Sequence, residues 1–232
     1  MPSERRWSAA EFSPDPVHPI EGSVCATVWP TRSLHSDERW FDEVDVWTEG
    51  FQASTTQRAR IQLTAVEHAF FMLEREHAEW VGVTLSFGTV ERFPEQVVGA
   101  LDAHALVEHR IVVLLRGSIR RLRSRYQLLA VVRHLRARQV PVGYRIGTTR
   151  VAMELKALDF LQPDFVKLPA PNSSRSELWD DLALEVQVAG ASPERTIIGG
   201  VDSQQQLELA RQMKVRFGQG SAVRPAYAPQ TL

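Results

Sequence analysis

Cysteine is almost missing from this sequence: Cys25 stands alone. That excludes an intramolecular disulfide and a thiolate-built metal site, and it fits a reducing compartment. Lysine is scarce too, confined to Lys156, Lys167 and Lys214. Arginine is the default cation, so no single arginine marks a phosphate site. No apolar run is long enough to span a bilayer, and the opening MPSERRWSAAEF lacks the apolar stretch of a signal peptide. A soluble, cytoplasmic protein with no membrane partner is expected. There is no GxGxxG, no phosphate loop and no internal repeat. The 7 histidines show no metal spacing such as HExxH. His104 and His109, or His68 and His77, read as surface or edge residues. A formal net charge of −1 gives the molecule no general pull on nucleic acid or membrane.

What is present is ordinary globular material. A chain of 232 residues, 44% hydrophobic and 24% charged, suits one large domain or two small ones and can bury a real core. Residues 1–22 read as an irregular N-terminal arm, because Pro14, Pro16 and Pro19 resist both helix and central strand. Residues 23–232 read as one domain of alternating short β-rich runs and longer helical patterns. Strands are predicted at Val24–Trp29, Glu43–Trp47, Val81–Phe87, Ile111–Leu115, Val140–Ile146, Phe165–Leu168 and Thr196–Ile198. A further short segment begins at Phe217. Helices are predicted over Gln57–Glu79, after Pro94, over Leu122–Leu135, over Met153–Leu161, at about 175–189 and from near Ser203. Ser174 with Glu177, and Ser203 with Gln206, have capping-box spacing. The alternation implies an α/β fold with a largely parallel sheet. The unit count favours a barrel, although periodicity alone leaves an open doubly wound sheet nearly as good.

The last third carries motifs. FVKL at 165–168, GGVDSQQQ at 199–206, LELARQMKV, FGQG at 217–220 and Arg224-Pro225 follow in order. Together they resemble the end of the EAL family of cyclic di-GMP phosphodiesterases: a lysine-bearing strand, EGVET then Gln, a helix, then QGY and a short run to Pro. Upstream, VGVTLS at 81–86 is similar to the family's VNLS strand, RIVVLLRGS at 110–118 to its LEITES strand, and RARQVPVGYRIGTTR at 136–150 to its helix end, strand and DDFGTG loop. The resemblance implies a TIM-like (β/α)₈ barrel of EAL type. It also implies a site at the C-terminal ends of the strands, where the family holds two divalent cations with carboxylates and an amide.

Carried over residue by residue, the resemblance implies that most of those ligands are gone. Thr84 stands for the asparagine, Leu114 for the glutamate of LEITES, Tyr144 and Arg145 for the paired aspartates, and Gly199 for the glutamate of EGVE. Lys167 and Gln219 match the family's lysine and late glutamine, and Asp202 is a shortened second glutamate. DEVDVW at 42–47 places Glu43 at the signature glutamate, Asp45 at the leucine and Trp47 at the arginine. Cys25 stands for the first-strand glutamine. Lys167 reads either as a vestige of the site or as a cap on the barrel mouth paired with Asp202. Glu43 reads either as the family carboxylate or as a solvent-facing acid.

No catalytic residue, metal or cofactor is therefore expected. The expected function is a catalytically inactive regulatory domain acting by protein–protein interaction. The alternatives are a cyclic di-GMP receptor that does not hydrolyse and an active phosphodiesterase with unusual ligands. Weak or absent cyclic di-GMP binding is expected. One charge feature suggests the partner surface: His109 to Met153 contains no acid but many arginines. Arg120, Arg121, Arg125, Arg133 and Arg136 are predicted to lie on an outer helix. They form either a solvated face or a docking face for an acidic protein, with nucleic acid second.

Overall fold

The computed structural model describes residues 24–36, 38–48, 54–104, 110–147, 151–224 and 230–231. The arm expected over 1–22 lies outside them. The strands are β1 (Val24–Ser33), β2 (Arg39–Thr48), β3 (Val81–Ser86), β4 (Ile111–Arg116), β5 (Val142–Arg145), β6 (Phe165–Pro169), β7 (Thr196–Gly199), β8 (Phe217–Gln219) and β9 (Gln230–Thr231). From β2 to β8 each strand lies parallel to the next. β1 closes the circle, antiparallel to both β2 and β8, and β9 adds to β1. The result is the expected (β/α)₈-type barrel with one strand reversed. The cause is chain length: a parallel crossover needs a dozen or more residues, and only residues 34–38 separate β1 from β2. Pro30, which cannot donate to a ladder, lies beside the register shift between Thr31 and Arg32.

Among the described residues seven helices surround the barrel: α1 (Thr55–Glu74), α2 (Phe87–Arg92), α3 (Pro94–Asp102), α4 (Arg125–Ala137), α5 (Val151–Ala157), α6 (Ser176–Val188) and α7 (Gln204–Gln212). α1 opens with a capping box of Ser54 and Gln57. It stops at Glu74, short of the expected Glu79, because Glu76 takes a left-handed φ of 56°, which ends a helix. α2 was not anticipated: Ser86 accepts the Thr89 N–H at 3.1 Å and converts the end of a strand into a helix start. The Ser203–Gln206 box forms. The Ser174–Glu177 box does not, since Arg175 is the N-cap of α6 and makes no side-chain cap bond.

The predicted helix from Leu122 also needs correction. Ser124 caps α4, so the helix begins at Arg125, and Arg120 and Arg121 belong to a separate 3₁₀ turn, Ile119–Arg121. Arg121 and Arg125 therefore do not share a helical turn. The buried stripe of α4 is Leu128, Val131, Val132 and Leu135, with Leu122 and Leu129 only partly buried. The expected helix Met153–Leu161 divides into α5 and a 3₁₀ turn, Asp159–Leu161.

The inside of the barrel is solid at its lower end. Phe41, Val112, Leu114, Phe165, Ile197 and Phe217 form one buried cluster with Trp40 and Trp80 against it. Trp40 packs on Phe217 and Phe165 at centroid distances of 4.6 and 4.9 Å. Two glycines make the room: a Cβ on Gly82 would lie 2.6 Å from the Phe41 ring, and one on Gly143 would overlap the Phe165 ring. Above this plug the barrel lining becomes polar.

Candidate functional site at the barrel mouth

β2 turns Glu43 inward, onto the top of the aromatic plug, where it is 1% exposed. β6 brings Lys167 opposite, and the end of β8 brings Gln219. Lys167 Nζ donates to Glu43 Oε2 and to Gln219 Oε1. Gln219 Nε2 lies 3.2 Å from Glu43 Oε2 and donates to the Trp29 carbonyl at 3.0 Å. Thr84 Oγ1 donates to Glu43 Oε1 at 2.8 Å, and Arg145 Nη1 stands 3.5 Å from the same oxygen. Both Glu43 oxygens therefore face two donors each. Such a fully satisfied buried network rigidifies its surroundings.

The charges follow from this geometry. Burial pushes the Glu43 carboxyl up, but Lys167, Arg145 and the Lys167 and Thr84 hydrogen bonds outweigh burial and hold it below its ordinary 4.5. Burial draws the Lys167 ammonium below its ordinary value even with Glu43 beside it. For a carboxyl depressed in the folded state, the stabilisation is fully present above the unfolded value and is lost as pH falls through the lower folded value. The native protein should thus lose urea stability on acidification below about pH 4.5. A Glu43→Gln variant should start less stable and show a flatter acid limb. Parallel acid limbs in the two proteins would mean that Glu43 carries no such linkage.

The mouth itself is a pocket of about 360 Å³, lined by Trp29, Asp45, Arg145, Gly199 and Asp202 among others, with Glu43, Lys167 and Gln219 at its floor. Several sequence expectations meet here with different results. Glu43 is inward and buried, so the reading as a solvent-facing acid is wrong. Lys167 pairs with Glu43, not Asp202. Asp202 is exposed and instead accepts the Ser221 N–H at 2.9 Å and the Ser221 hydroxyl at 3.0 Å. Gly199 is glycine for a reason: a Cβ there would lie 2.7 Å from Lys167 Cε, so the lysine occupies the space of a side chain. Leu114 belongs to the apolar plug. Tyr144 points away from the mouth, stacked on Phe87 at 5.5 Å and hydrogen-bonded to the Gly117 carbonyl. The side chains of Cys25 and Trp47 lie outside the described residues.

Sequence reading missed Arg116. It ends β4 two residues beyond Leu114, on the same face of the strand, and feels Arg145, Asp45, Glu43 and Arg58. The period-two rule applied to RIVVLLRGS would have found it.

Of the expected partner surface, Arg120, Arg121, Arg125 and Arg133 are exposed. Arg125 sits over the Phe160 ring at 5.1 Å. Arg136 leaves the set, because its guanidinium is half-buried and donates to the Leu161 carbonyl at 2.6 Å and to that of Gln162. His68 is buried on α1, not at an edge, and burial followed by His77 holds it below its ordinary value. His104 bridges Glu74 at 2.8 Å and Glu67 at 3.1 Å. His109 lies outside the described residues.

Neither a protein-family model nor a curated protein matches the sequence. Solved structures do match its shape. The EAL domain of Mycobacterium smegmatis DcpA superposes with a TM-score of 0.69 at 15% identity, covering 88% of this chain and 93% of that one. The fold is that of EAL domains. The PaMucR phosphodiesterase in its c-di-GMP complex gives a TM-score of 0.68 at 16% identity, covering 88% of this chain and 96% of that one. The Vibrio cholerae LapD S helix-GGDEF-EAL protein bound to c-di-GMP gives 0.64 at 14% identity, covering 85% of this chain. This chain spans about half of that longer protein, 52% of its length.

Proposed function

We propose that this EAL-fold domain hydrolyses no cyclic di-GMP and acts by binding. The observation that carries the reading is the engagement of Glu43. Both its oxygens are taken by Lys167, Gln219, Thr84 and Arg145. A hard divalent cation needs several oxygen ligands, preferably anionic. Asp45 and Asp202 also line the mouth, but the inward positions on the neighbouring strands carry Leu114, Arg116 and Arg145, and among the described residues no group of three or more His, Cys, Asp or Glu could hold a metal. The residues present do not suit the family's metal pair. The test is incubation of the purified chain with cyclic di-GMP and Mn²⁺. No linear dinucleotide above a buffer control is expected. Turnover that disappears with EDTA would overturn the reading.

The binding partner we propose is an acidic protein surface. Arg120, Arg121, Arg125 and Arg133 support this, being exposed guanidiniums on one flank of the barrel. Arginine is favoured at interfaces because its planar fork pairs with carboxylates in two bonds at once. Reversing Arg125 and Arg133 to Glu should leave the urea midpoint nearly unchanged, since exposed substitutions usually shift stability by less than about 0.5 kcal/mol. It should also abolish partner capture. Retention of the same partners at the same salt would place the docking face elsewhere. Among the described residues no helix is long and apolar enough to cross a membrane.

A further inference from the structure

A second cleft, of about 750 Å³, opens beside the mouth between the start of α1, helix α2 and the segment after β4. It meets the mouth pocket at Arg145 and Gly147, which line both. Among the described residues its charged lining is one-sided: Arg58, Arg116, Arg121 and Arg145 against Glu91 and Glu154. Glu91 is 8% exposed and accepts the Ser124 N–H at the start of α4. Glu154 stands against the Tyr144 hydroxyl, which burial and that carboxylate together raise well above its ordinary value. Arg145 leans toward Glu43. No ion pair among the described residues holds Arg58, Arg116 or Arg121.

Guanidiniums crowded in this way repel one another. Burial first, then Arg145, draws Arg116 below its ordinary value, with Arg58 adding to the effect and Asp45 and Glu43 opposing it. A cluster of like charges costs free energy unless an anion shares it. Arginine forks suit phosphate oxygens, which they can grip two at a time. The volume lies in the range of small-molecule sites, about 300–1,000 Å³, so the cleft exceeds the needs of a lone inorganic ion. Pyrophosphate or a nucleoside diphosphate gathers its negative charges on adjacent phosphates, whereas cyclic di-GMP carries one charge on each of two separate diesters, so clustered guanidinium forks suit the former better.

We infer that this cleft is a metal-independent binding site for a small organic polyphosphate of nucleotide size, with Arg58, Arg116 and Arg145 gripping the phosphates. The inference rests on the reading of a mouth that holds no divalent cation.

Calorimetry of the full chain in EDTA tests it, with inorganic pyrophosphate, ADP and cyclic di-GMP as separate probes. Pyrophosphate and ADP should each bind one site per chain, and cyclic di-GMP should bind more weakly than ADP. Arg116→Gln should weaken both by about tenfold or more, as the loss of a charge-assisted hydrogen bond does. Arg116→Lys, which keeps the charge and loses the fork, should recover only part of the affinity. Arg195→Gln, on an exposed turn away from the cleft, should change nothing. Arg195 is exposed, and Arg116 is exposed over much of its side chain although its guanidinium is partly desolvated; an unchanged urea midpoint confirms that the variants fold. Absence of saturable heat with both pyrophosphate and ADP would overturn the site. So would binding that requires Mg²⁺, equal weakening by Arg195→Gln, or tighter binding of cyclic di-GMP than of ADP. The hydrolysis assay is independent: turnover of cyclic di-GMP sinks the metal-free reading, whereas failed pyrophosphate and ADP binding without turnover sinks only this inference.

Discussion

Replacing Lys167 by methionine should destabilise the protein by roughly 3–5 kcal/mol, the usual cost of removing one partner from a buried ion pair. The substitution leaves the Glu43 carboxylate buried beside Thr84, Gln219 and a half-exposed Arg145. Without the ammonium, burial dominates and the carboxyl is pushed upward. The variant should therefore lose least, relative to the native chain, at acid pH, where Glu43 takes up a proton. The companion variant separates charge from packing. Lys167→Met combined with Glu43→Leu should come within about 2 kcal/mol of the native chain, because a well-packed apolar replacement of a buried pair is often neutral. Urea unfolding of the three proteins at two pH values measures both effects. A single-variant loss below about 1 kcal/mol would show that the pair behaves like a surface salt bridge.

Gly220→Ala should be comparably harmful for a different reason. Gly220 has a φ of 147°, a region that L side chains rarely adopt. A Cβ there would also run into the Val201 backbone, only 2.6 Å from its carbonyl carbon. Backbone cannot rotate away as a side chain can, so strain and overlap should add to upwards of about 3 kcal/mol. The damage should reach the mouth, since the preceding residue, Gln219, donates to the Trp29 carbonyl and accepts from Lys167. A thermal midpoint within a few degrees of native would mean that the Val201 turn yields more easily than its geometry implies.

Much of this fold was legible in the sequence. IVVLL at 111–115 is buried on both faces as a continuous apolar run, and the Ser203–Gln206 box caps its helix. The motif spacing around Lys167 and Gln219 also brought two members of the site together. Other features escaped because they depend on facts that spacing does not contain. Ser86 begins α2 through a side-chain bond, whereas VGVTLS reads as pure strand. Tyr144 and Arg145 are neighbours in sequence, yet the strand's alternation sends the tyrosine outward to Phe87 and the arginine to Glu43. The pairing of Lys167 with Glu43 joins positions 124 apart, and only closure of the barrel makes them meet. The nearer candidate in sequence, Asp202, is drawn off by Ser221.

The reversed direction of β1 brings both ends of the described barrel to one rim. In a barrel whose first strand is parallel to the rest, the chain enters at the end remote from the strand C-termini. Here Val24 pairs with Thr48, the last residue of β2, so the polypeptide enters on the side where Arg116, Arg145 and Gln219 end their strands. β9 pairs with Cys25 and Ala26, so the chain's other end returns to the same rim. Val24 and Thr231, the first and last described residues, therefore both lie at the open face of the barrel rather than at its plugged base.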